Sequence, residues 1–130
     1  MTGIDIVNTL IPKLLDMDFI VHRYDAYSTS SIYLKLDYGV ACGIRIADHP
    51  GKKKYHYRFN IIKGFKGDKV ILKSGLISRF YDFSEMENLL QDVKKEKQNK
   101  LCRYGINNYN LYMEKEKKEN ELFKRFKKIS

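Results

Sequence analysis

The sequence predicts an α+β fold: an antiparallel β-meander of four to six strands, an N-terminal helix and a long, interrupted, charged C-terminal helical region. Between residues 19 and 61, apolar and polar residues alternate in successive stretches separated by turn sequences, as half-buried antiparallel strands do. On both sides of this region, apolar residues recur at helical spacing. We expect residues 1–83 to form the helix and sheet. Residues 84–130 are expected to form C-terminal helices, in one domain with a protruding helical extension.

The N-terminal helix is predicted from an apolar stripe at helical spacing, formed by Ile4, Val7, Ile11, Leu14 and Leu15. Pro12 lies inside this stripe, so we expect a kink or a split into two short helices. The stripe is expected to cover one face of the sheet that follows.

The strands are predicted from period-two alternation. After a strand over residues 19–24, alternation runs through residues 32–37 and 40–47, joined by a turn at Asp37-Tyr38-Gly39. Asp48-His49-Pro50-Gly51 is a second turn, because Pro fixes φ and Gly tolerates positive φ. A third alternating strand covers residues 54–61. Residues 69–73 and 76–81 are predicted to form one more hairpin.

The helical region is predicted to begin at a capping box, with Ser84 at the N-cap and Glu87 three residues later. Apolar residues at helical spacing continue to Tyr104, and residues 105–108 interrupt the helix, which is expected to resume near Tyr109. Residues 114–121 are polar on every face. We therefore expect a solvated helix or a frayed segment there, not one that lies flat against a core.

The charge balance favours anionic partners. Lys and Arg number 25 against 16 acidic residues, giving a net charge of +9. Nucleic acid, an anionic membrane surface or an acidic protein would suit that charge. The alternative is a codon bias that enriches Lys together with Asn, Ile and Tyr, and the total charge does not separate the two interpretations.

No catalytic or metal-binding pattern is recognisable, so we expect a non-enzymatic protein without a cofactor or a metal. The three histidines, His22, His49 and His56, lack the spacing of a zinc motif. Asp48-His49 is interpreted as part of a turn, because adjacent residues usually point in different directions. The acidic and basic run at residues 114–117 is interpreted as solvated charge. A metal-dependent nuclease is the less favoured alternative.

The remaining features indicate a cytoplasmic protein. Cys42 and Cys102 match no disulfide framework, which favours reduced thiols. The first residues lack the pattern of a signal peptide. No apolar run approaches the ~18 residues that span a bilayer, so we expect no integral membrane association.

One predicted binding surface is the polar side of the sheet. Cations and rings share one strand parity there, with Asp37 beside them, and a lysine-rich tip extends the positive charge. The candidates are Tyr33, Lys35, Arg45, Lys52, Lys53, Lys54, His56 and Arg58. Cations that bind phosphates and rings that stack on bases are typical of sheets that hold single-stranded DNA or RNA. The alternative is the ordinary polar solvent face of a half-buried sheet.

The second predicted surface lies near the C-terminal end, where apolar residues return among cations. Its residues are Leu122, Phe123, Lys124, Arg125, Phe126 and Ile129. As a basic amphipathic helix, the segment is predicted to bind a partner's groove or a membrane surface, or to pair with its own copy in a homodimer. The alternative is that it packs back on the sheet.

Residues 28–33, Gly39, residues 44–49 and residues 55–60 resemble a pattern in small phage and prophage accessory proteins of low-GC Gram-positive bacteria. In those proteins a Ser-x-Ser-x-Tyr strand pairs with an Ile-Arg-Ile-x-Asp-His strand. The resemblance spans residues 28–60, about a quarter of the chain, and residues 84–130 match nothing.

The resemblance implies a phage-encoded inhibitor of host defence, of the anti-CRISPR type, acting in the host cytoplasm. Such a protein binds a CRISPR effector nuclease or its guide-RNA complex and blocks nucleic-acid binding or cleavage. Many such inhibitors are acidic mimics of nucleic acid, which a chain of net charge +9 cannot be. A basic inhibitor would contact acidic protein surface, guide RNA or target DNA. The alternative is a basic nucleic-acid-binding accessory protein that uses the sheet face and the C-terminal helix.

Overall fold

The computed structural model describes residues 3–26, 31–47, 58–62, 65–66, 69–70, 77–123 and 126–129. For residues 58–62, 65–66, 69–70, 77–80, Phe83 and Phe123 it describes the backbone alone. The elements, in chain order, are α1 (Gly3–Asp16), β1 (Val21–Asp25), β2 (Ile32–Leu36), β3 (Cys42–Ala47), β4 (Arg58–Ile62), β5 (Phe65–Lys66), β6 (Lys69–Val70), β7 (Ile77–Tyr81), α2 (Met86–Tyr104), α3 (Ile106–Phe123) and β8 (Lys127–Ile129). Short 3-10 turns occupy Asp37–Gly39 and Phe83–Glu85. The predicted α+β class is confirmed.

The main sheet has six strands in the order β7-β4-β3-β2-β1-β8, and each neighbouring pair is antiparallel. Strands β1 to β4 form the predicted meander. The hairpin predicted from residues 69–73 and 76–81 is wrong for residues 69–70 and 77–81, and residues 71–76 lie outside the described residues. Strand β6 pairs with β5 in a separate two-stranded hairpin, and β7 joins the main sheet beside β4.

One face of the sheet carries the hydrophobic core. In β2 and β3 the side chains of this core face are fully or almost fully buried: Ile32, Leu34, Leu36, Cys42, Ile44 and Ile46. Helix α1 covers them with Ile6, Val7, Leu10 and Leu14, and α2 adds Met86, Leu89, Leu90 and Val93. The expected role of the N-terminal helix as a cover for the sheet is therefore confirmed. A hydrogen bond of 2.5 Å from the Tyr81 hydroxyl to Asp92 Oδ2 ties β7 to α2.

Helix α1 is continuous, so the expected split at Pro12 does not occur. Pro12 lies in the second half of the helix and is exposed to solvent. Its ring replaces one backbone N–H, so the carbonyl of Asn8 loses an intrahelical partner on the side that water reaches.

Helix α2 begins differently from its prediction. Its N-cap is Glu85, without a side-chain capping bond, so the capping box predicted from Ser84 is wrong. Instead, Glu85 Oε1 accepts a hydrogen bond from the Asp82 amide, and the Glu85 amide donates to the Asp82 carbonyl. The predicted interruption is confirmed, but it is a single residue, Gly105, at φ 79° and ψ 156°. Helix α3 starts directly after it.

The C-terminal tail returns to the sheet. Helix α3 ends at Phe123, and β8 pairs with β1, placing Lys128 opposite His22 and Ile129 opposite Val21. The expectation of helix throughout residues 84–130 is therefore wrong at this end, because the chain completes the sheet instead of protruding from it.

Candidate nucleic-acid interface

The face of the sheet opposite the core, here called the outer face, carries polar and aromatic residues in two cross-strand rows. Residues directly opposite each other in an antiparallel pair have side chains on the same face. The first row runs Tyr24, Tyr33, Arg45 across β1, β2 and β3, and the register continues it to Asn60 of β4. The second row runs Lys128, His22, Lys35 across β8, β1 and β2.

Three rings form a continuous aromatic row on the outer face: Tyr33, Tyr24 and Phe126. The Tyr24 and Tyr33 rings are 6.1 Å apart at an interplanar angle of 26°, and the Tyr24 and Phe126 rings are 5.5 Å apart at 47°. Both tyrosines are half-buried. Phe126 is 3% exposed and fixes one end of the row.

Arg45 lies next to Tyr33 in the first cross-strand row. Among the residues that the structure describes, its guanidinium has one hydrogen-bond acceptor, Ser31 Oγ, at the long distance of 3.5 Å from Nη2. The guanidinium carries five N–H donors in a planar arrangement that suits phosphate and carboxylate oxygens. A half-buried cation with so few described acceptors, next to two stacked rings, matches what a base and its phosphate require.

Lys35, expected on an exposed surface, is buried, with 1% of its surface accessible. Its ammonium lies 4.4 Å from the centre of the Phe126 ring and donates a hydrogen bond of 3.4 Å to Asn120 Oδ1. The Asn120 amide in turn donates to the Phe126 carbonyl at 3.5 Å. Lys35 therefore holds the tail and the last turns of α3 against the sheet and is not available to a phosphate.

The turn at Asp37–Gly39 is the second place where the expectation of exposure is wrong. Asp37 is 1% exposed, and its carboxylate accepts hydrogen bonds from the Ile20 amide at 2.9 Å and the Tyr109 hydroxyl at 2.5 Å. Lys97 Nζ forms an ion pair with the same carboxylate at 2.9 Å. Three consecutive residues, Asp37, Tyr38 and Gly39, have positive φ, which costs energy at the first two. The buried network holds this turn in shape.

Helices α2 and α3 supply the other half of this network. Burial, and then the Asp37 carboxylate that accepts a hydrogen bond from its hydroxyl, raise the pKa of Tyr109 far above the usual value. Tyr109 therefore stays a hydrogen-bond donor at all physiological pH values. Lys100 Nζ donates to the carbonyls of Val40 and Ala41 at 2.9 and 2.6 Å, so it fixes the start of β3 as well.

A groove of about 500 Å³ opens beside the aromatic row. Three rings and three cations line this lysine groove: His22, Tyr38, Phe126, Lys117, Lys127 and Lys128. Asn120 and Glu121 complete its wall. Phe126 belongs to both the row and the groove, so the two features are continuous.

The other residues of the predicted sheet surface divide into two groups. Lys52, Lys53, Lys54 and His56 lie outside the described residues. Arg58 begins β4, where its backbone pairs with Ala47, and its side chain also lies outside the description. Of the predicted surface, the structure therefore brings Tyr33 and Arg45 together and removes Lys35 from it.

The predicted C-terminal patch is dispersed. Leu122 is 79% exposed, whereas Phe126 is buried against the outer face and Ile129 is half-buried in β8. Phe123 is the last residue of α3, with its side chain outside the description, and Lys124 and Arg125 lie outside it entirely. Phe126 packs back on the sheet, which is the alternative given for this segment.

Sequence reasoning missed Tyr24, His22 and Tyr38, and it left Lys117 without a role. Tyr24 shares the parity of His22 in β1, so extending the outer-face argument to the first strand would have found it. The groove had no signal of this kind, because residues that are far apart in sequence, such as Tyr38 and Lys127, line it.

Comparison with protein-family models, curated proteins and solved structures found no match. The residues described contain no group of three or more His, Cys, Asp and Glu side chains placed to hold a metal ion. Nor does any helix in the described part of the chain have the length and apolar character needed to cross a membrane. The function proposed below therefore rests on the geometry of the outer face.

Proposed function

We propose that this protein binds single-stranded nucleic acid on the outer face of its sheet. The observation that carries the proposal is the row of two half-buried stacked tyrosines, Tyr24 and Tyr33, with Arg45 beside them in register. Bases that stack on such rings each contribute about 1–3 kcal/mol, whatever their sequence, because every base has a π-face. Arg45 supplies the charge for the adjacent phosphate.

The scaffold favours this use because it holds the rings in place. Tyr24 lies between Tyr33 and Phe126, and Phe126 is buried against Lys35. Helices α1 and α2 cover the core face, so the sheet that carries the rings is packed on its opposite side. A rigid platform loses little conformational entropy when a base stacks on it.

The binding test uses fluorescence anisotropy with labelled oligothymidylate and oligouridylate at several salt concentrations. We expect Tyr33→Ala to weaken binding by about tenfold, within the range for one lost stacking partner, and Tyr33→Phe to retain it. Tyr112→Ala is the matched control, because Tyr112 is an exposed tyrosine on α3, packed edge-to-face on Tyr104. No binding at low salt, or an equal loss in Tyr112→Ala, would refute the proposal.

The contribution of Arg45 is measured separately, from the salt dependence of binding. Removing one phosphate contact with a single strand lowers the slope of log affinity against log salt concentration by about 0.7 and weakens all sequences alike. Arg45→Gln should show this change, while Arg103→Gln, at an exposed position of α2, should leave the slope unaltered. An unchanged slope in Arg45→Gln would remove Arg45 from the interface.

The anti-CRISPR-type inhibition that the strand-pair resemblance implies stays a prediction. Guide RNA and target DNA offer the bases and phosphates that the outer face suits, so an inhibitor of this kind would use the same residues. A cleavage assay with purified effectors checks it: inhibition by the wild type and its loss in Tyr33→Ala support the link. Inhibition that is unaffected by Tyr33→Ala would point to a protein contact elsewhere.

A further inference from the structure

The C-terminal tail, residues 126–129, covers part of the outer face. The Phe126 ring lies 5.5 Å from the Tyr24 ring, and its centre lies 4.4 Å from the Lys35 ammonium. Stacking on an aromatic side chain next to a cation is also the way in which proteins hold a base of single-stranded nucleic acid. Phe126 therefore makes, within the chain, contacts of the kind that a bound base would make.

The same ring accounts for the burial of Lys35. Lys35 follows Tyr33 by two positions in β2, so both side chains belong to the outer face. Yet Lys35 is 1% exposed, because the Phe126 ring covers its ammonium and Asn120 of α3 accepts a hydrogen bond from it. Phosphate is thus kept from Lys35 for as long as Phe126 stays in place, and departure of the ring would uncover a cation beside the aromatic row.

The tail is attached at an edge of the sheet. Strand β8 has three residues, pairs with β1, and is the last strand on its side of the sheet among those described. The hydrogen bonds from Lys35 to Asn120 and from Asn120 to the Phe126 carbonyl are long, at 3.4 and 3.5 Å. A short edge strand separates from a sheet at a lower cost than a central strand, because it gives up fewer backbone bonds and less apolar contact.

We propose that the tail is an autoinhibitory strap that a single strand displaces when it binds. Phe126 occupies the position of a base on Tyr24, and its release adds this stacking position and a phosphate contact at Lys35 to the site formed by Tyr33 and Arg45. The inference rests on the proposed function, since the strand competes with the tail for the same face. The closed tail lowers the affinity for the strand in proportion to the fraction of molecules in which the tail is open.

A disulfide that locks the tail on the sheet tests the strap. Arg23 of β1 and Lys127 of β8 lie directly opposite each other, on the side of the sheet away from Tyr24. The Cα atoms of such pairs are about 4.5–5.5 Å apart, within the range that a disulfide bridges. Arg23→Cys/Lys127→Cys is combined with Cys102→Ser, because Cys102 is exposed. The oxidised protein then holds the tail closed and the reduced protein lets it open, at the same charge.

Fluorescence anisotropy with labelled oligothymidylate compares the two states. The oxidised form is expected to bind about tenfold more weakly than the reduced form, the effect of one stacking position. Its slope of log affinity against log salt concentration should be lower by about 0.7, because Lys35 stays covered. The matched control is Arg23→Ser/Lys127→Ser in the same background, which cannot form the bridge and should bind equally under both conditions.

Equal affinity in the oxidised and reduced forms would overturn the strap, and so would a change of the same size in the serine control. The proposed function would stand in both cases, provided that Tyr33→Ala still weakens binding. Absence of binding in either form at low salt would overturn the proposed function together with the strap.

Phe126→Ala gives a second measurement in the full-length chain. A strap predicts a lower dissociation constant than that of the wild type, because the strand no longer has to displace a ring from Tyr24. A purely structural role predicts weaker binding, since the sheet loses a packed side chain, and that result would overturn the inference. Leu122→Ala, at an exposed position of α3, is the control and should bind as the wild type does. The locked variant decides alone where Phe126→Ala does not fold.

Discussion

The Lys35 ammonium lies 4.4 Å from the centre of the Phe126 ring, and both residues are almost fully buried. A cation against a ring in a desolvated site is attracted by about 2 kcal/mol. The contact holds the C-terminal tail on the outer face. Phe126 lies between the half-buried rings of Tyr24 and Tyr33 and the part of the sheet that α3 covers. Phe126 thus contributes both to the stability of the fold and to the proposed binding surface.

Phe126→Ala should destabilise the fold by about 3 kcal/mol, because it removes a buried ring and leaves Lys35 without its main apolar neighbour. Chemical denaturation in urea measures the change. Leu122→Ala is the control, since Leu122 is 79% exposed and its loss is expected to stay within about 0.5 kcal/mol. Equal effects of the two substitutions would show that the tail does not stabilise the sheet.

Asp37→Asn should cost about 3 kcal/mol, because it leaves the Lys97 ammonium without its buried counter-charge and weakens the bond from Tyr109. The control is Glu87→Gln, which breaks an exposed ion pair of 3.5 Å with Lys13 and should change stability by about 0.5 kcal/mol or less. Unfolding curves of both variants at neutral pH make the comparison. A small loss in Asp37→Asn would mean that the turn is held mainly by its backbone bonds.

Gly105→Ala should destabilise the junction of α2 and α3 through the backbone alone. No atom lies within 4 Å of the position that a Cβ would take, so there is no steric clash. The conformation, φ 79° and ψ 156°, is nearly restricted to glycine, and another residue loses about 1–3 kcal/mol there. Asn108→Ala, at an exposed position of α3 where Asn108 bonds to the Tyr104 carbonyl, is the control for a loss of helix contacts alone.

The meander was predictable because its signal is local. Alternation in residues 32–37 and 40–47 fixes which side chains face the core, and β2 and β3 follow it. The N-terminal helix was predictable for the same reason. The expected split at Pro12 does not occur, because a proline on an exposed helix surface leaves the unpaired carbonyl of Asn8 to water.

The candidate site was predictable in part. Parity placed Tyr33 and Arg45 on one face, and the register confirms that they are neighbours. What covers that face was not predictable, because it depends on contacts between residues about 85 positions apart, such as Lys35 and Asn120. The polar residues 114–121 were expected to avoid the core, yet Asn120 is buried, since one amide satisfies both the lysine and the Phe126 carbonyl.

Glu116→Gln should stabilise the protein slightly at neutral pH. Burial first, and then the charge of Glu119, raise the pKa of Glu116, and Lys35 and Lys115 offset this only in part. A carboxyl whose pKa is raised in the folded state opposes folding once it is ionised, and this cost disappears as pH falls through the unfolded value. The advantage of Glu116→Gln should therefore vanish in acid. Glu114→Gln, at an exposed position of the same helix, is the control.

Tyr109→Phe should reveal a stabilising contribution that is lost in alkali. The folded-state pKa of Tyr109 lies above the unfolded value near 10, so the contribution is fully present below about pH 10. Above that pH the unfolded state loses a proton that the folded state keeps, and stability falls by up to about 1.4 kcal/mol per pH unit. The variant lacks this dependence. The difference in unfolding free energy between wild type and Tyr109→Phe, measured from pH 8 to 11, should be constant at first and then shrink. A difference that stays constant up to pH 11 would mean that neither burial nor the bond to Asp37 raises the pKa of Tyr109.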